Sequence, residues 1–185
     1  MKKEAMKKVL ATLLALTLLV TVTASVALAE ESAAPTFTAG VQFNMDMDQV
    51  MQLVNLPNPE IDRERTRGNV EFWELEYEHV NGGDGINGDM KFIFVGNSLV
   101  AIHYDLEEGT SYETVKDILV KTYGDAVPFD AANIGNARYV IDDDGDLKDC
   151  KEMIVRDDVI VVLEQDHDGE MDVTILDPTA AYINN

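Results

Sequence analysis

From Asp46 to Leu176 the chain repeats one order: a short amphipathic helix, then runs of alternating residues that suit antiparallel strands. In the first unit Asp46 and Gln49 stand at capping-box spacing, and Met47, Val50, Met51 and Val54 fall at i, i+3, i+4 and i+7. Pro57 and Pro59 end that helix. A polar connection with Asp62, Arg63, Glu64, Arg65 and Arg67 leads to Gly68. Phe72–Val80 then alternates, placing Trp73, Leu75, Tyr77 and His79 on one face and Glu74, Glu76 and Glu78 on the other. Strands at 89–95 and 98–105, joined by Gly96-Asn97, complete a meander.

The second unit opens with Thr110 and Glu113 at capping-box spacing and an inward stripe of Tyr112, Val115, Ile118, Leu119 and Thr122, closed by Gly124. Met47/Tyr112, Val50/Val115, Leu53/Ile118 and Val54/Leu119 keep one phase between the two helices. Strands are expected near 137–142, 150–156, 158–165 and 170–176, with Val159–Leu163 apolar enough to be central. The predicted fold is α+β: one antiparallel sheet with helices on one face, in two imperfect α-βββ halves at about 41–106 and 107–178 of a single 41–185 domain. Trp73, Leu75 and Tyr77 are expected under the helices with Val50, Val54, Val115 and Leu119.

Residues 1–29 have the three parts of a cleavable secretory signal: Lys2, Lys3, Lys7 and Lys8, an apolar Val9–Val22 run, and Ala27-Leu28-Ala29 before the cut. Residues 30–40 form a polar, small-residue lead-in. The expected location is therefore extracellular, or periplasmic where two membranes exist, with no membrane attachment after cleavage. Of the 14 Lys+Arg and 35 Asp+Glu, the signal holds four and one, so 10 and 34 remain and the net charge is −24. Such a surface repels nucleic acid and anionic lipid, and favours divalent cations or a basic protein. The single cysteine, Cys150, makes an intramolecular disulfide impossible, so the fold must stand on its apolar core.

The run Gly40-Val-Gln-Phe43-Asn-Met-Asp-Met-Asp-Gln-Val50, with Glu76-Tyr77, Phe92–Tyr104 and Thr122-Tyr123-Gly124, resembles the β-lactamase-inhibitor-protein-like and SmpA/OmlA-like families over residues 40–176. That resemblance implies a non-enzymatic exported domain that docks protein partners through its sheet and adjoining loops. The chain lacks the lipoprotein cysteine of the second family and the disulfides of the first, and only scaffold positions match.

Chemistry-bearing motifs are sparse. Asp142-Asp-Asp-Gly-Asp146 and Asp166-His-Asp-Gly-Glu170 invite calcium, with Asp142, Asp144, Asp166 and Asp168 as weak candidate ligands. With Gly145 or Gly169 at position 6 of an EF-hand loop, position 12 is Lys151 or Ile175, so the closing glutamate is missing. Gly82–Asn87 resembles one glycine-rich calcium repeat, a unit that binds in stacked arrays. His79, His103 and His167 have no zinc spacing, although His79 and His103 lie on one meander. No nucleophile elbow, phosphate loop or dinucleotide fingerprint occurs, and no cofactor is expected. The favoured reading is a protein-binding module. Its candidate face carries Glu74, Glu76 and Glu78 with Lys91 on the facing strand, rimmed by the 81–88 loop, and its partner is an exported protein with a basic surface. An acidic calcium- or cation-binding surface protein and a carboxylate-dependent hydrolase are the alternatives.

Overall fold

The computed structural model describes residues 40–67, 70–81, 87–141 and 147–180. The signal at 1–29, the glycine segment 82–86 and Asp142–Asp146 lie outside the described residues, as do the calcium candidates Asp142 and Asp144. Helix α1 (Met47–Val54) starts on the expected capping box: Asp46 Oδ1 accepts the Gln49 N–H at 2.8 Å, and Gln49 Oε1 accepts the Asp46 N–H at 3.0 Å. Helix α2 (Tyr112–Tyr123) starts differently. Its N-cap is Ser111, which makes no side-chain cap bond, while Thr110 Oγ1 donates back to the Glu107 carbonyl at 2.6 Å. The Thr110–Glu113 spacing therefore marks the turn before the helix, not its cap.

Eight strands accompany the helices, all paired antiparallel: β1 (Glu60–Arg67), β2 (Val70–Asn81), β3 (Asn87–Val95), β4 (Ser98–Leu106), β5 (Val127–Pro128), β6 (Cys150–Val155), β7 (Ile160–Gln165) and β8 (Met171–Leu176). Their order is β1-β2-β3-β4-β8-β7-β6-β5. Each half is thus a helix and four strands, and the halves meet where their last strands, β4 and β8, pair. This is the α+β fold expected, with one more strand, β1, in the first half and with β5 in place of the strand expected near 137–142 in the second. Both β1 and β5 lie at an outer edge. Residues 60–67 are charged because an edge strand has one neighbour and much solvent. Val127-Pro128 is too short to read, and Pro128 suits an edge because it has no N–H to give.

One face of the sheet is apolar along its centre. Leu75, Phe92, Ile102, Ile175, Val161 and Ile154 form a single row across six strands, all buried against Val50 of α1 and Val115 and Leu119 of α2. Tyr112 donates to Glu152 Oε2 at 2.9 Å and Lys116 Nζ lies 2.7 Å from the same oxygen, tying α2 to β6. Trp73, expected in the centre, packs only partly buried against this cluster; Phe92 is the central aromatic, edge-on to Tyr77 with ring centres 6.1 Å apart.

The opposite face is not wholly open, contrary to the sequence-based expectation. Residues 137–141, expected as a strand, form a 3-10 turn running into helix α3 (Arg138–Ile141). Ile134, Ala137, Val140 and Ile141 bury against Ile93, Ala101, Ile160, Val162 and Leu176. The three- and four-residue spacing of Ile134, Ala137 and Ile141 is helical; the β-branched run Val140-Ile141 masks it.

Candidate functional site

Register decides which polar side chains share that second face, from the uncovered strands β2 to β4 to the buried Thr174 on β8. Glu76 pairs with Lys91, Lys91 with His103, and His103 with Thr174, so these four stand in one row across β2, β3, β4 and β8. Glu60 extends the row onto β1 opposite Glu76, and Asp62 stands opposite Glu74 one row away. Directly paired residues share a face. Two pairs of like charges therefore face each other across β1 and β2, an arrangement that costs stability.

The next row is more acidic. Asp89 pairs with Asp105, Asp105 with Asp172, and Asp172 with Glu164, giving four carboxylates in line over β3, β4, β8 and β7, of which Glu164 is buried. None of these four figured among the sequence candidates. Each lies on a different strand, and two of the pairings need the β4–β8 seam and the second half's meander. The available signal was the alternation phase of each strand, which becomes a row only once register is known.

The sequence candidates take their places around these rows. Lys91 Nζ lies 3.8 Å from Glu76 Oε1, and both side chains are about three-quarters covered. Burial pushes the Glu76 carboxyl up; Lys91 opposes this, and Asp89, Glu60 and Glu78 add to it. Glu74 is half-buried, and Glu78 is exposed in a bulge. That bulge, between Tyr77 and Val80, breaks the alternation. His79 takes a left-handed φ of 54° and turns outward, and Val80 fills the inward position expected for His79. The His79 N–H donates to Asp89 Oδ1 at 2.8 Å, clamping the end of the acidic row.

His103 does not join His79. Its Nδ1 lies 2.9 Å from Thr174 Oγ1, and its Nε2 lies 3.7 Å from Asp172 Oδ1. The Asp172 carboxyl is pushed up to about 6 by burial first and Asp105 next; Lys91 opposes, and Glu170 and Asp166 contribute. A native pKa above the unfolded value of about 3.9 means the folded state holds this proton longer. The contribution to stability is therefore present below about pH 4 and lost as pH rises to about 6. Asp172→Asn should match the wild type in acid and exceed it above pH 7 by about 1 kcal/mol, a figure reduced for solvent screening because the side chain is 38% exposed. Urea melts at the two pH values check this; equal stabilities at both would mean Asp172 ionises normally in the fold.

Asp166, His167 and Asp168 form the one cluster among the described residues whose ligand atoms lie within 4.8 Å of one another. It sits in the β7–β8 turn. Asp166 Oδ1 already accepts the N–H groups of Asp168, Gly169 and Glu170 at 2.8, 2.7 and 3.0 Å. Desolvation raises the Asp166 carboxyl, but these bonds and His167 more than offset it and hold it low. The arrangement is that of a carboxylate fastening a hairpin turn. Beside it, a groove of about 280 Å³ is lined by His79, Asp89, Asp105, Glu107, Glu108 and Glu170.

No family model matches the chain, and no curated protein or solved structure is significantly similar to it.

Proposed function

We propose that this protein is an exported, non-enzymatic binding module whose uncovered sheet face docks a basic surface on another exported protein. The observation that carries the reading is the row Asp89, Asp105 and Asp172, flanked by Glu60, Asp62 and Glu76, with Glu164 buried at the inner end of the row. Like charges in facing positions cost stability in the free protein. A basic partner relieves that cost and is steered to the face by its field. Lys91 and His103 stand among these acids, with His79 at the end of the row, and they fix where a partner's own cations cannot go. The family resemblance in the sequence, which implies docking through the sheet, points the same way. So does the signal-like segment at 1–29 for an exported location.

Immobilised protein exposed to the envelope and medium fractions of the producing organism should capture a partner at low salt. Reversal of Glu74, Glu76 and Glu78 together to Lys should abolish capture and shift the melting temperature by only a few degrees, roughly 1 kcal/mol or less. A partner that binds the triple variant unchanged, and does so in high salt, would leave the face as solvated surface.

A further inference from the structure

Strand β1, eight residues long, ends the sheet on one side and pairs only with β2, whereas the other edge is the two-residue β5. A long edge strand presents a row of N–H and C=O groups to any strand that fits. Its sequence is Glu60-Ile-Asp62-Arg63-Glu64-Arg65-Thr-Arg67, three acids and three arginines, in a chain whose net charge is −21. Elsewhere that charge repels a second copy; along this strand it does not.

We propose that β1 pairs antiparallel with β1 of a second copy, making a two-fold dimer whose sheet continues through both molecules. Centred between Arg63 and Glu64, the pairing sets Glu60 against Arg67, Asp62 against Arg65, Arg63 against Glu64 and Ile61 against Thr66 of the second copy. All charged pairs are opposite in sign. A slip of one residue sets Asp62 against Glu64 instead.

Two-fold pairing also requires facing positions to lie on one side of the sheet, which an unbroken strand would not allow in this register. The irregularity of β1 between Asp62 and Arg65 removes the obstacle. Asp62 pairs with Glu74 and Arg65 with Phe72, two residues apart on β2, so both positions fall on the same face. Glu60 and Arg67, opposite Glu76 and Val70, share it, and Ile61 and Thr66, opposite Leu75 and Glu71, share the other. An edge bulge ordinarily discourages pairing; here it brings the complementary charges into phase. Ile61, on β1 itself, is 49% exposed, so the edge also presents unburied apolar surface. The edge pairing does not depend on the acidic face.

Sedimentation velocity on the purified protein up to about 100 μM tests it. The wild type should be a dimer. Asp62→Arg and Arg65→Glu should each place two like-charge pairs in the interface and weaken it roughly thirtyfold, while circular dichroism shows each folded. Mixing the two variants should restore a dimer. The arginine introduced at position 62 of one copy would then face the glutamate introduced at position 65 of the other, and the native Arg65 and Asp62 would face each other. A monomeric wild type, a single variant that stays fully dimeric, or folded monomers that do not associate on mixing would each overturn it.

Discussion

Phe92→Ala is expected to cost about 3–5 kcal/mol, the largest loss from any single side-chain truncation in this core. Phe92 is fully buried in the middle of the helix-covered face. It stands between Leu75 on β2 and Ile102 on β4 and meets Tyr77 edge-on at 88°. Removing the ring forfeits its transfer energy and that aromatic contact, and leaves a cavity walled by paired strands that cannot collapse into it. Domains of this size are stable by only about 5–15 kcal/mol, so the variant keeps little reserve. Urea melts check the figure. A loss below about 1 kcal/mol would mean that the helices do not close over β2–β4.

Gly88→Ala is expected to cost about 3 kcal/mol for a different reason. A Cβ on Gly88 would overlap the Asp105 carbonyl oxygen and stand 2.9 Å from the Asp105 carbonyl carbon and the Leu106 Cα. All three are backbone atoms of β4, so no side chain can swing away. Relief requires β3 and β4 to part where Asp89 faces Asp105, and the Glu107 N–H bond to the Asn87 carbonyl, 3.0 Å long, is strained with them. The same melts measure this, with amide exchange of Asp89 and Leu106 reporting where the strands open. A variant as stable as the wild type would mean this end of the hairpin moves apart freely.

Most of the helix-covered face was legible from local pattern alone. Asp46 and Gln49 cap α1 as their spacing predicts, and the alternating runs near 89–95, 98–105, 150–156 and 170–176 are strands. The positive φ of the β3–β4 turn falls on Gly96, at 64°, as a Gly-first turn requires. What escaped the sequence was set by tertiary neighbours. The edge strand β1 has no hydrophobic period because one side of it meets solvent. The segment 134–141 lies helically across the second face although its end, Val140-Ile141, favours strand. Glu74, Glu76 and Lys91 could be placed on one face because they sit within one hairpin, whereas the Tyr77–Val80 bulge takes Glu78 out of the register. Asp105, Asp172 and Glu164 could not, since their alignment depends on the β4–β8 seam.

The proposed docking surface for a basic protein is made by the rows of carboxylates. Its most direct test is the affinity of a captured partner for a variant carrying Glu76→Gln, Asp105→Asn and Asp172→Asn, measured by calorimetry across a range of salt. Affinity should be at least roughly tenfold weaker at low salt, with a shallower salt dependence and stability at neutral pH no lower than wild type. Unchanged affinity with the same salt response in a fully folded variant would contradict it.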